Sequence, residues 1–217
     1  MNQTISYYDK NAEEFCKNTI DADMSYCRSK FLNYLSEGTS ILDAGCGSGR
    51  DSVAFKQLGY HVTAMDASPK ICQEAEKMLG QKVLCKTFEE LDDENVYDGI
   101  WACASLLHVP KESIGEVMYR LKRALNDGGI LYASFKYGED EKIVNERLFN
   151  YYNEQSLSVL MMENGFEVLE VFVTQDVREG RSEEKWVNVV GEKRKYKTGG
   201  AIKRYGIAAK KCNRIWC

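Results

Sequence analysis

The sequence predicts a doubly wound α/β fold: a seven-stranded, mostly parallel sheet with helices on both faces and an antiparallel C-terminal strand. Three observations carry this. A short apolar run, Ile41-Leu42-Asp43, breaks at once into alternating glycines, Gly45, Gly47 and Gly49, and then into a helical pattern, which reads as strand, tight turn and helix start. Up to residue 135, five strand-like runs alternate with helical ones, the pattern of a parallel sheet covered on both sides. Beyond it, two β-rich runs at 166–173 and 186–190 have no helix between them and must pair antiparallel.

Each element has its own signal. Residues 6–35 carry two helical patterns, the first capped by Ser6 or Asp9 with Tyr8, Ala12, Phe15 and Cys16 on one face, the second over 25–35. Residues 1–36 therefore form a helical cover over the end of the sheet. After the glycine turn a helix at 51–58 ends at Gly59, and 60–66 is the second strand. Ser68-Pro69 supplies an N-cap and an N1 proline for a helix that Gly80 closes. Residues 82–86 give the third strand, 97–103 the fourth, 104–110 a loop, and 111–125 a helix with one apolar stripe. Asn126-Asp127-Gly128-Gly129 turns the chain into a fifth strand at 130–135. Residues 139–155 are polar with scattered aromatics, and Ser156 caps a helix ending at Gly165.

Composition bounds the function. With 44% hydrophobic and 29% charged residues, 217 residues suit one domain with a sizeable core. We place that domain at 1–194. All seven charges between Lys195 and Cys217 are basic, so the net charge of -4 conceals an acidic body followed by a basic tail. Such a body is poorly suited to a phosphate backbone; RNA or a protein substrate would have to be reached through the tail, and a small-molecule partner is favoured. There is no 18-residue apolar run and no secretory pattern at the start, so the expected location is the cytoplasm, without membrane attachment. The eight cysteines form no CxxC pair, and no metal site is expected.

The motifs collect at the carboxyl ends of the strands, where doubly wound sheets bind ligands. Alternating glycines let backbone approach a ligand closely. Asp66 ends the second strand 17 residues after Gly49, near the offset at which a carboxylate accepts ribose hydroxyls. A nicotinamide-binding protein would show G-x-G-x-x-G, whereas this loop is one residue short. Tyr132 and Lys136 imitate a dehydrogenase Tyr-x-x-x-Lys pair, but on a strand they stand about 13 Å apart. A non-catalytic nucleoside-binding protein remains the third reading.

These residues resemble the class I S-adenosylmethionine-dependent methyltransferases, among them small bacterial enzymes of the tellurite-resistance or ubiquinone-biosynthesis-like type. The carriers are LDAGCGSG, Asp66, YDGIWACASLLHV and LNDGGILYASF. The resemblance implies a Rossmann-like fold, S-adenosyl-L-methionine as cofactor, and Gly45, Gly47, Gly49 and Asp66 as residues that hold it; the rest of the expected cofactor site is Asp43, Cys46, Ala67, Thr87, Phe88 and Cys103, with Tyr8 and Arg28 from the helical cover. The adenine-binding acid usual after strand three is replaced by Thr87. His108, in the loop after strand four, reads in two ways, as a general base titrating near 6.5 or as a loop histidine bonded to backbone. Lys136, Tyr137 and Arg178, with Asp176 nearby, are the expected acceptor-side residues. The Asn/Asp-Pro-Pro-aromatic motif of base-amine methylation is absent at Ala102-Cys103-Ala104-Ser105.

Overall fold

A computed structural model describes residues 2–178 and 180–194. Its sheet runs in the order β3 (Leu84–Cys85), β2 (His61–Asp66), β1 (Ser40–Ala44), β4 (Tyr97–Ala102) and β5 (Leu125–Tyr137), all parallel. β9 (Lys185–Lys193) then lies antiparallel to β5, and β8 (Phe166–Gln175) antiparallel to β9. These seven strands are those the sequence predicts, including the antiparallel one at the C-terminal end. Two more were missed. β6 (Glu141–Val144) and β7 (Arg147–Tyr152) form a hairpin inside the stretch read as irregular, and β7 joins the tip of β5 at Lys136 and Tyr137. At that point β7 takes over the edge of β5 that β4 leaves after Ala133, while Lys136 still pairs with Trp186 of β9 on the other edge, and the sheet forks.

The central strands are apolar on both faces because both are covered. Ile41 and Leu42 point to opposite sides: Leu42 packs with Ile100, Leu131 and the apolar stripe of α6 (Ile114–Ala124), whereas Ile41 packs with Phe31, Phe55, Trp101 and Tyr132. Trp101 and Tyr132 stack 3.9 Å apart at 12°. Tyr132 is fully buried, and its hydroxyl donates to Asn188 Oδ1 at 2.7 Å. It is a core residue, as its place on a strand requires.

Several boundaries differ from expectation for local reasons. The cover holds three helices, α1 (Asn2–Lys10), α2 (Ala12–Thr19) and α3 (Ser25–Leu32), broken at Asn11. Asp9 does not cap its own helix: its carboxylate accepts from the Ser68 hydroxyl at 2.5 Å and from Lys70 N–H at 3.1 Å, at the start of α5 (Pro69–Leu79), where an anion is favoured. Ser68 and Gly80 cap α5 as expected, and Gly59 follows α4 (Arg50–Gln57) with φ +88°. The Asn126–Gly129 segment is no separate turn but a bulge within β5, where pairing to β4 shifts register and Gly128 takes φ +79°. α7 (Glu154–Glu163) is capped by Asn153 rather than Ser156, which answers as the third residue of the reciprocal cap. No helix among the described residues is long and apolar enough to cross a membrane. The basic tail, 195–217, lies outside the described residues.

Candidate active site

At the carboxyl ends of β1, β2, β4 and β5 a cavity of about 830 Å³ opens, roofed by α1 to α3 and flanked by the β6–β7 hairpin and the β8–β9 connection. One end is built by the glycine loop. Gly45 and Cys46 N–H both donate to Met65 O, at 2.8 and 2.9 Å, which folds the loop back onto β2. Gly47 N–H donates to Asp66 Oδ2 at 3.1 Å, and Ser68 N–H to Asp66 Oδ1 at 3.0 Å. Asp66 therefore fixes both the loop and the β2–α5 junction, and its remaining lone pairs border the cavity. Burial raises its pKa, opposed by these backbone donors.

Glycine is needed here for two different reasons. A Cβ on Gly45 would stand 2.3 Å from Ser105 Cβ, because Ser105 crosses over the loop to donate to Ala44 O at 2.7 Å. Gly47, with φ +55°, presents backbone to the cavity beside Phe15. Gly49 does neither: it faces Leu79 and Ala75 and lets α4 approach α5.

Of the expected cofactor residues, Asp43, Gly45, Cys46, Gly47, Asp66, Ala67, Thr87, Phe88, Cys103 and Tyr8 line the cavity; Gly49 and Arg28 do not. Arg28 is taken by Asp51, 2.6 Å away. Asp51, which sequence reasoning passed over, also binds Arg50 Nη2 at 2.7 Å and accepts from Trp101 Nε1 at 3.0 Å. Burial alone would raise its pKa; Arg50 and Arg28 override burial and hold it below the ordinary range. Its place in the first helical turn was the one available signal. Asp43 is buried, accepts from the Ser52 hydroxyl at 2.6 Å, and is pushed up to about 7 by burial.

His108 stands between the two ends. Its Nδ1 lies 2.6 Å from Leu148 O and its Nε2 lies 2.8 Å from the Tyr8 hydroxyl. A carbonyl only accepts, so Nδ1 carries the proton and Tyr8 donates to Nε2. Burial, helped by the charge of Arg147, lowers the His108 pKa to about 4. The expected titration near 6.5 is thereby corrected: the imidazole is neutral across the physiological range. Burial likewise raises the Tyr8 pKa, against the pull of Arg147.

At the far end Lys136, Tyr137, Asp176 and Arg178 line the wall as expected, joined by Arg147, Arg181, Glu184 and Trp186. Arg178 grips Asp176 through Nε at 2.9 Å and Nη2 at 2.5 Å. Burial opposes the ionised form of Asp176, yet Arg178 holds it down at about 2. Lys136 pairs with Glu184, and its ammonium stands 4.5 Å from the Trp186 ring centroid. Burial brings its pKa down to about 8. Arg147 was missed because its hairpin was missed.

Fold and cavity together define a class, an α/β protein with a ligand-sized cavity at the carboxyl edge of its sheet. Residues 41–129 match the family model described as a methyltransferase domain, and over that stretch the chain is similar to the class I S-adenosylmethionine-dependent methyltransferases, whose cofactor is S-adenosyl-L-methionine. The chain is similar to the 2-methyl-6-phytyl-1,4-hydroquinone methyltransferase of Synechocystis sp., 27% identical over 141 residues that make up 61% of this chain and 43% of that protein. It is also similar to the ubiquinone biosynthesis O-methyltransferase of Rickettsia bellii, 30% identical over 43% of this chain and 40% of that one. It thus spans about half the length of the curated relatives it matches, or less. Among solved structures, Burkholderia thailandensis 1,6-didemethyltoxoflavin-N1-methyltransferase, bound to 1,6-didemethyltoxoflavin and S-adenosylhomocysteine, has the same fold, with TM-score 0.75, 20% identity and coverage of 89% and 88%. The [4+2]-cyclase SpnF shares it as well, with TM-score 0.71, 15% identity and coverage of 89% and 97%.

The residues present suit the cofactor. The loop offers backbone without Cβ atoms at Gly47, and Asp66 keeps acceptor capacity at the cavity edge for two hydroxyls.

Proposed function

We propose that this protein methylates a small molecule held in the cavity, with Asp66 and the Gly45–Gly47 loop holding the cofactor and the wall of Lys136, Tyr137 and Arg178 meeting the acceptor. The observation that carries this is continuity: one cavity of about 830 Å³ includes the glycine loop, the Tyr8–His108 pair and the charged far wall. That volume falls in the range of small-molecule sites.

When bound, S-adenosylmethionine supplies a methyl group on a sulfonium, already activated for in-line displacement. The chain then has to bind, orient and exclude water. The helical cover closes one side, tied down through Asp9 to α5 and through Thr4 Oγ1, which accepts Leu148 N–H at 3.2 Å, to the hairpin. Where the acceptor brings a proton, the Tyr8 oxygen is placed to receive it while Tyr8 passes its own proton to His108 Nε2. With the imidazole at about 4, the pair is a weak base. It suits an acceptor whose proton becomes acidic as the methyl bond forms, or one that is already an anion.

The test is release of S-adenosylhomocysteine from S-adenosylmethionine across a panel of phenols, carboxylates, amines and thiols. Turnover with one class supports the reading. Stabilisation by NAD(P) but not by S-adenosylhomocysteine in thermal melts would overturn it.

A further inference from the structure

We infer that the far wall of the cavity is an oxyanion site, anchored by Arg147, which takes a carboxylate or phosphate group of the methyl acceptor. This rests on the reading of the cavity as a methyl-transfer site. The cations of that wall are not equivalent. Arg178 is engaged by Asp176, while Lys136 and Arg181 share Glu184, the latter at 3.6 Å. Arg147 is met by rings and one hydroxyl instead: its guanidinium carbon stands 4.3 Å from the Tyr7 centroid, 5.1 Å from Phe149 and 5.9 Å from Tyr8, whose hydroxyl oxygen accepts from it. Among the described residues no carboxylate pairs with it, and its Nε is buried without a hydrogen-bond partner.

An aromatic face stabilises a cation's charge but accepts its N–H groups poorly, and a guanidinium has five of them in a planar fork. A buried donor left without an acceptor is costly, by about 1–3 kcal/mol. A carboxylate or phosphate fits that fork with two parallel hydrogen bonds. The surrounding structure holds the fork in place before any ligand arrives. Leu148, next in the chain, is fixed at both of its peptide groups, its N–H by Thr4 and its carbonyl by His108. Arg147 also lies within electrostatic reach of Tyr8, His108 and Lys136, so an anion bound there sits beside the pair that handles the acceptor's proton. The rings of Tyr8 and Phe149, which line the cavity, would flank the organic part of the same molecule.

The experiment uses the full chain saturated with S-adenosylhomocysteine and three probes matched in size: benzoate, phenyl phosphate and benzyl alcohol, titrated calorimetrically at constant ionic strength. Benzoate or phenyl phosphate should bind and benzyl alcohol should not; the stronger anion tells carboxylate from phosphate. Arg147→Met should weaken anion binding by about ten- to a hundredfold while S-adenosylhomocysteine still binds. Arg147→Lys, which keeps the charge and loses the fork, should fall between and decides the matter if Arg147→Met does not fold. Equal binding of anions by wild type and variants, or binding of neither anion, overturns the proposal. So does Arg147-dependent binding of a single-stranded RNA oligonucleotide with no binding of the small anions. Failure of S-adenosylhomocysteine itself to bind wild type would instead refute the methyl-transfer reading, and the anion titrations on the free protein would still decide the oxyanion site.

Discussion

The Tyr8 hydroxyl donates to His108 Nε2 across 2.8 Å, because Leu148 O already holds the proton on Nδ1. The two residues therefore act as one unit, and His108 meets an acceptor only through Tyr8. Tyr8→Phe and His108→Ala should each lower turnover by about tenfold or more, and the double variant should lose no more than the worse single one. In Asp43→Asn, which lacks the cavity carboxyl that titrates at about 7, the pH–rate profile should be flat from about pH 5.5 to 7, since burial keeps the imidazole near 4. A rise centred near 6.5 would show that His108 titrates as an exposed histidine.

Asp66→Ala should weaken S-adenosylhomocysteine binding by about 1.5–3 kcal/mol, the range for charge-assisted hydrogen bonds. It also strips acceptors from Gly47 and Ser68 N–H, so the melting temperature should fall too. Asp66→Asn keeps one acceptor oxygen and should recover part of the stability but little of the affinity. Calorimetric titration beside thermal melts separates the two roles.

The loop glycines should separate by mechanism. Gly45→Ala drives a Cβ into Ser105 and should destabilise the fold by about 1–3 kcal/mol or more through overpacking. In Gly47→Ala the new Cβ meets only the Phe15 ring edge at 3.3 Å. That variant should fold, at a backbone cost of about 1–2 kcal/mol for its left-handed conformation, and bind cofactor weakly. Gly47→Val adds branching against Phe15, so its fold should suffer as well. Chemical denaturation paired with cofactor titration distinguishes the three.

Asp43 gives a pH dependence of stability. Burial raises its folded pKa to about 7 from about 3.9 in the unfolded chain. A carboxyl with a raised pKa favours the fold while protonated, and that contribution is lost as pH rises from about 4 through 7. Asp43→Asn cannot ionise, so its melting temperature relative to wild type should improve between pH 5 and pH 8. No change in that difference would mean that Asp43 is ionised throughout.

The glycine-loop end of the cavity was legible because its signals are local and backbone-driven: alternating glycines, an acid at a strand end, a Ser-Pro cap. The far end was not. β6 and β7 turn on Asn145 and Glu146, both at positive φ, 49° and 63°; glutamate there hides a turn that Asn-Gly would have announced, and β6 is exposed throughout, so it carries no alternation to read. Arg147 and the engagement of Arg178 by Asp176 depend on that unseen geometry. Arg28 and Gly49 were misplaced for the opposite reason. Each lies close in sequence or space to the site, yet Asp51 in one case and Leu79 in the other determines where it points.

The fork in the sheet at Lys136 also divides the gene. The family match ends at residue 129, before β5 changes its neighbour on one edge from β4 to β7, and the far wall is written almost entirely downstream, between 134 and 188. On the proposed reading, donor chemistry and acceptor choice are inherited in separate blocks, joined through one strand and the strap of α1. Acceptor preference then becomes a graftable trait: exchanging residues 136–186 between such proteins, with α1 carried along, transplants the selectivity and leaves the donor end as it was.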